Sequence, residues 1–299
     1  MIADGSLGPG EMAGPACPSC GGSRRETVYR SPRSGIVRCL DCGLMRRDPY
    51  RGCIASKCAA CPDRCIEKIA SPELLEARLR VDGRRATRIR ALAGTDYSEL
   101  GVLELGSGFG CLASCIADSA REYLGTEPSS DLYRTQLELF GNLAGRVVNA
   151  VFPDAGRRGQ FDLVVAVDIL QFANGPLEFL KNAASYLREG GLLYLEVPNE
   201  ARLGLRAAIR RGMGLYRGEP VHHGHVNFFT KRPLLALARK AGLTVERLEQ
   251  LSIAGDEDRM FLTLKSPLPS SLKALCRCAR ATKADLLLGL GNLVCLCRK

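Results

Sequence analysis

A chain of 299 residues, 46% hydrophobic and 25% charged, has the balance of an ordinary globular protein, which excludes a largely disordered chain, a collagen-like repeat and a coiled coil. No apolar run reaches the roughly 20 residues needed to cross a bilayer, and residues 1–16 lack the basic start and apolar stretch of an export signal, so they read as a flexible tail. The net charge of +10 is uneven: residues 1–100 carry 17 Lys+Arg against 12 Asp+Glu, residues 101–200 carry 7 against 13, and residues 201–299 carry 18 against 7. Basic flanks around an acidic centre suit an anionic small molecule, a nucleic acid or an anionic membrane surface, and charge alone does not choose among them. Fourteen cysteines without an export signal predict reduced thiols in the cytoplasm, where clustered cysteines hold metal.

The first cluster is the clearest. Cys17/Cys20 and Cys39/Cys42 form two Cys-x-x-Cys pairs 18 residues apart, each followed by a glycine that can take the positive φ such a turn needs. Between them ETVYR and GIVRC read as the strands of a hairpin that brings the two turns together. Four thiolates around Zn²⁺ leave no open position, so the ion would be structural and would fold a ribbon over 17–50 that has little core of its own. A second block over 51–70, Cys53, Cys58, Cys61 and Cys65, fits a second zinc, an iron–sulfur cluster or no metal at all.

From residue 71 the pattern changes. Ser71 can cap a helix that has Pro72 at its first position. Short apolar strands then alternate with helices: GVLEL, REYLGT, GRVVNAVF, FDLVVAVDIL, a helix from Pro176 to about Arg188, and EGGLLYLEVP. This alternation predicts an α/β fold, a doubly wound sheet of the Rossmann-like kind with ligands at the carboxyl ends of its strands. The turn after GVLEL carries Gly106, Gly108 and Gly110. Glu127 closes the next strand, 21 residues after Gly106. Bare backbone beside a carboxylate on the neighbouring strand suits a nucleoside, the carboxylate accepting both ribose hydroxyls. A dinucleotide fingerprint would need a glycine where Cys111 stands.

The G-x-G-x-G turn with Glu104 two residues ahead resembles the first motif of class I S-adenosylmethionine-dependent methyltransferases. FDLVVAVDIL, NGPLEFL and REGGLLYLEVPN resemble their fourth and fifth strands. HVNFFTKRPLLALARKAGLTVERLE resembles a segment of relatives acting on small molecules, including sugar C- and O-methyltransferases, some of which also carry a front zinc ribbon. The resemblance implies a methyltransferase domain over 71–266 with its last strand antiparallel and a lid at about 201–224. It further implies that Gly106, Ser107, Gly108 and Gly110 border the cofactor. Glu104 would hold its ammonium, Glu127 its ribose and Pro128 its adenine face. Asn149 and Val151 would lie beside the base, and Asp168 and Ile169 would line the sulfonium side. Two positions depart from the pattern: Asn149 replaces an Asp, and Gln171-Phe172 replaces a Glu-His.

All three histidines, His222, His223 and His225, lie in VHHGHVNFF. Imidazole exchanges protons near neutral pH, and His225 occupies the resembled family's histidine position, so His225 is the expected general base with His223 second. Arg206, Arg210, Arg211 and Arg217 precede it and could bind an anionic acceptor. Residues 267–299 are expected to form a helical tail that docks on the body or lies on a membrane surface, with cysteine pairs 276/278 and 295/297 of unassigned role. The expected function is methyl transfer to a small anionic molecule such as a sugar nucleotide; an RNA methyltransferase and a non-catalytic cofactor-binding scaffold are the alternatives.

Overall fold

The computed structural model describes residues 12–13, 16–30, 35–48, 71–203, 225–252, 258 and 291–299. Two sheets organise them. The smaller holds β1 (Met12–Ala13), β2 (Arg24–Arg30), β3 (Gly35–Cys39) and β4 (Met45–Asp48), antiparallel in that order. The predicted hairpin is β2–β3, and Gly21 and Gly43, each following a second cysteine, both take φ of 80°. A fifth strand comes from far along the chain. β10 (Asn227–Phe228) pairs antiparallel with β4, setting Asn227 opposite Arg46 and Phe228 opposite Met45.

The larger sheet has seven strands in the order β11–β12–β9–β8–β5–β6–β7. Strands β5 (Gly101–Leu105), β6 (Glu122–Thr126), β7 (Val147–Val148), β8 (Phe161–Val167) and β9 (Leu187–Pro198) run parallel. Strands β11 (Thr244–Gln250) and β12 (Asn292–Arg298) complete the sheet, β12 lying antiparallel to both its neighbours. Helices α1 (Pro72–Ala93), α2 (Cys111–Ile116), α3 (Ser130–Leu139), α4 (Pro176–Tyr186) and α5 (Lys231–Lys240) accompany it. Ser71 caps α1 as its sequence predicts, its hydroxyl accepting from the Leu74 amide at 3.3 Å.

Alternation along the central strands sorts their side chains to two faces. Val102, Leu163, Val165, Leu192, Tyr194, Val294 and Leu296 pack with Ala86 and Ile89 of α1 and Leu112 and Ile116 of α2. Leu103, Leu105, Val164, Leu193, Leu195, Cys295 and Cys297 face the other way. There they join Leu180 of α4, Leu234 and Leu237 of α5, and Cys17, Cys39, Cys42 and Leu44 of the ribbon. The ribbon therefore shares its core with the larger sheet. It is not a bead on a tether.

Two expectations fail here: Met12–Ala13, expected within a flexible tail, pair with β2 as β1, and the expected helical tail does not hold at its described end. Residues 292–298 are not helical: they form β12, with Leu293 to Cys297 all buried. A strand covered on both faces is apolar at every position, so its sequence lacks the alternation that marks a half-buried one. The apolar side chains of this segment are enclosed by the sheet and are not a surface for a bilayer. Among the described residues no helix is long and apolar enough to cross a membrane.

Candidate functional site

Four parallel strands deliver the predicted residues to one edge of the sheet. Glu104 is the next-to-last residue of β5 and the glycine turn follows it, Glu127 and Pro128 follow β6, Asn149 and Val151 follow β7, and Asp168 and Ile169 follow β8. The turn is built by the amides of Gly106 and Ser107, which both donate to the Thr126 carbonyl at 2.8 Å, and by Gly110 donating to Ser107 at 2.9 Å. The Glu127 carboxylate is anchored at both oxygens: the Gly108 amide donates to Oε2 at 2.9 Å and the Ser129 amide to Oε1 at 2.8 Å. Burial raises its pKa, and these two amides oppose the rise. A carboxylate offers about four acceptor positions, so capacity for two hydroxyls remains.

The glycines differ in what they do. Gly106 and Gly108 both have positive φ, 75° and 58°. A Cβ on Gly106 would lie 2.5 Å from Ile169 Cγ2, whereas a Cβ on Gly108 would meet nothing within 4 Å. Gly106 admits a protein side chain; Gly108 faces open space that a ligand can fill. Gly108→Ala is therefore expected to stay folded, losing about 1–2 kcal/mol to its left-handed backbone, while cofactor affinity falls steeply. Gly106→Ala should lose stability as well, because Ile169 must move. Thermal melts paired with cofactor titration separate the two, and equal cofactor affinity for Gly108→Ala and the parent would refute the assignment of that space.

The other predicted residues also have contacts within the protein. The Ser107 hydroxyl donates to Gln136 Oε1 at 2.9 Å, inside the protein. Asn149 donates from Nδ2 to the Glu127 carbonyl at 2.7 Å and accepts the Ser130 hydroxyl at 3.0 Å, bracing the end of β6 against the start of α3. Val151 is 55% exposed beside them. Glu104 is buried and accepts the Tyr123 hydroxyl. The ring reaches it across Gly125, where a Cβ would stand 3.1 Å from that hydroxyl oxygen. Burial pushes the Glu104 carboxyl up to about 7, so an ammonium placed beside it would draw it to the ionised form.

A buried ionic network lies under this edge, and sequence reading missed it. Arg85 of α1 donates from Nε and Nη2 to the two carboxylate oxygens of Glu196, both at 3.0 Å, and also bonds Asp82. Tyr194 donates to Glu196 at 2.9 Å, and Asn292 donates to Glu196 at 2.8 Å and to Asp168 at 3.3 Å. Burial alone would lower the Arg85 pKa, but Glu196 and Asp82 hold it well above its ordinary value. Asp168 sits at φ 52°, a left-handed conformation held by its amide donating to the Glu196 carbonyl at 2.9 Å. The signal was available in α1: Asp82 and Arg85 fall on the same stripe as buried Ala77, Val81, Ala86 and Ile89.

His225 sits where the segment before β10 meets the short turn Leu170–Phe172 after β8. Its ring stands edge-on to Phe172, centroids 5.2 Å apart, and 6.3 Å from the Phe228 ring. The Val226 amide donates to the Gln171 carbonyl at 2.9 Å. Phe172, one of the two departures from the family pattern, is thus the partner of the histidine from the later segment. His222, His223, the four lid arginines, Cys53, Cys58, Cys61, Cys65, Cys276 and Cys278 lie outside the described residues.

The four ribbon cysteines converge. Cys17 and Cys42 Sγ are 3.7 Å apart, Cys20 and Cys39 Sγ 3.5 Å, and all four sulfurs lie within 4.8 Å of one another. A tetrahedral ion at a metal–sulfur distance of about 2.3 Å needs sulfurs about 3.8 Å apart, so the donor set fits zinc. The Gly22 amide donates to Cys20 Sγ at 3.3 Å, as a thiolate requires. Cys295 and Cys297 are also close, at 3.4 Å, but sit side by side along β12 in the core. Among the described residues the ribbon cysteines alone bring three or more such ligands together.

Comparison with known proteins decides the family. The profile described as "Methyltransferase domain" matches residues 77–248, more than half of the chain. The chain belongs to the methyltransferase-domain family. Its core has the class I methyltransferase fold, whose relatives use S-adenosylmethionine. A curated relative, the ubiquinone biosynthesis O-methyltransferase of Xanthomonas axonopodis pv. citri (strain 306), is 26% identical over 151 residues, 48% of this chain and 63% of that protein. This methyltransferase-family chain thus matches under two thirds of that relative's length. Among solved structures, geranyl diphosphate C-methyltransferase from Streptomyces coelicolor A3(2) superposes with a TM-score of 0.52 at 12% identity, covering 73% of this chain and 79% of that one. The [4+2]-cyclase SpnF superposes with a TM-score of 0.50 at 16% identity, covering 73% and 80%. One fold carries both names, so the reaction has to be argued from the site.

Proposed function

We propose that this methyltransferase moves the methyl group of S-adenosylmethionine to a small anionic acceptor, a sugar nucleotide or another acidic biosynthetic intermediate, with His225 taking the acceptor's proton. The observation that carries the cofactor half is the Glu127 carboxylate, fixed by two backbone amides beside the open space over Gly108. Glu127 would bind the ribose hydroxyls, Glu104 the ammonium, Pro128 and Val151 the adenine, and Asp168 and Ile169 would face the sulfur. When bound, the cofactor supplies an electrophilic methyl on a sulfonium. The four ribbon cysteines would hold one structural Zn²⁺.

The protein's own part is alignment and proton removal. A hydroxyl or an acidic carbon loses a proton as it is methylated. One relative is named for O-methyl transfer and one fold neighbour for C-methyl transfer, and a base serves either. His225, bracketed by Phe172 and Phe228, has its ring plane set by packing. The surplus of cations in residues 201–299, 18 against 7, supports an acidic acceptor.

The test is incubation of the purified, zinc-loaded chain with radiolabelled S-adenosylmethionine and separated cell-extract fractions. Label should enter acidic small molecules retained on an anion exchanger, and His225→Gln should slow that transfer about a hundredfold or more. Label in RNA would overturn the acceptor class, and undiminished transfer by His225→Gln would overturn the base.

A further inference from the structure

The ribbon strand β4 and His225 are joined through Arg47. Arg47 lies on β4, on the same face as Met45, and is 7% exposed. Its amide donates to the Val226 carbonyl at 2.9 Å, and its Nε donates to the His225 carbonyl at 3.1 Å. Its guanidinium lies 5.9 Å from the centroid of Phe228, the residue that pairs with Met45 and flanks the histidine ring. The preceding Arg46 donates from Nη2 to the Asn174 carbonyl at 3.4 Å, two residues after Phe172. Phe228 is thus held against β4, and the segment just after Phe172 is tied to β4 through Asn174.

β4 in turn begins at the second cysteine turn. Gly43 donates to the Cys39 carbonyl at 2.9 Å, Cys39 to the Leu44 carbonyl at 2.9 Å, and Leu44 is buried against the larger sheet's core. Met45, the next buried side chain after Leu44, lies three positions beyond Cys42, and Arg47 follows two further on. The second cysteine turn therefore leads directly into the strand that holds the histidine segment.

We propose that Arg47 is a positioning residue for His225, so that the four-cysteine ribbon is a working part of the acceptor side of the active centre and not only a folding aid. Loss of the ribbon's ion would be felt at the imidazole through Cys42, β4 and Arg47, while the cofactor edge of the sheet, built by β5 to β8, would be untouched. This rests on the reading of His225 as base, and the experiment keeps the two apart.

The zinc-loaded full chain is labelled with ¹⁵N-histidine, and the His225 imidazole signals are assigned by their loss in His225→Gln. Arg47→Met keeps the aliphatic stem and removes the donors; Arg47→Lys keeps charge and one donor direction. Arg47→Met is expected to shift the His225 signals and to slow label transfer to the acidic small-molecule fraction about tenfold or more, a misplacement effect, with cofactor affinity within about twofold of the parent. Arg47→Lys should recover part of both. Stripping zinc with a chelator should move the His225 signals in the same direction as Arg47→Met. Unmoved His225 signals in Arg47→Met overturn the inference, as does loss of cofactor binding in both variants, which would make Arg47 a general fold support. Full transfer by His225→Gln overturns the base alone, and the imidazole signals still decide the positioning.

Discussion

Glu127→Gln is expected to weaken S-adenosylmethionine binding about a hundredfold or more and to lower stability by about 1–3 kcal/mol, the range for leaving one buried donor unpaired. The carboxylate does two jobs with one set of oxygens: it accepts from the Gly108 and Ser129 amides and keeps acceptor positions for a ligand. A glutamine has one oxygen. Its amide nitrogen must then face either Gly108 N–H or Ser129 N–H, donor against donor, and the turn shifts whichever way it settles. Hydrogen bonds to a charged group contribute about 1.5–3 kcal/mol each, so losing the capacity for two hydroxyls accounts for the expected loss. Calorimetric titration of folded protein checks it. Affinity within threefold of the parent would remove the ribose from this carboxylate.

Arg85→Met should produce the largest fall in stability, about 3–5 kcal/mol, the range for removing one partner from a buried ion pair. Its Nε and Nη2 satisfy Glu196, which is fully buried, and Asp82 would be left with Arg78 alone, at 3.1 Å. For a domain near 200 residues that is a drop in Tm of about 10 °C. The pH dependence identifies the cause. A carboxylate buried without its cation titrates above its unfolded value, so the folded variant binds protons that the unfolded chain has released. Its deficit should be full at pH 8 and narrow as pH falls toward the unfolded carboxylate range near 4. Glu196→Gln added to Arg85→Met should restore part of the loss at pH 8. A deficit of constant size across that range would mean lost packing, with no electrostatic part.

Features that repeat a local rule could be read from the chain alone. The paired cysteines with their following glycines, Ser71 before Pro72, the glycine turn and Glu127 are each a short segment whose spacing carries the geometry, and all appear where expected. Features that depend on distant partners could not. Strand β12 has no alternation because both its faces are covered. β10 is two residues long and pairs with a strand some 180 residues earlier, which no local pattern announces. Asp82 and Arg85 lie on the apolar stripe of α1, which marks them as buried, but their partner Glu196 stands over a hundred residues later and no local pattern names it. Asn149 departs from the resembled pattern, and its bonds to the Glu127 carbonyl and the Ser130 hydroxyl depend on neighbours that its own segment does not reveal.

The placement of β12 also bears on how the molecule is made. Its seven residues slot between β9 and β11, and Asn292 reaches both Glu196 and Asp168. While those residues are still within the ribosomal exit tunnel, β9 has a naked edge and the charge cluster lacks a member. Until residue 292 and those after it emerge, the backbone groups along that side of β9 wait for their partners.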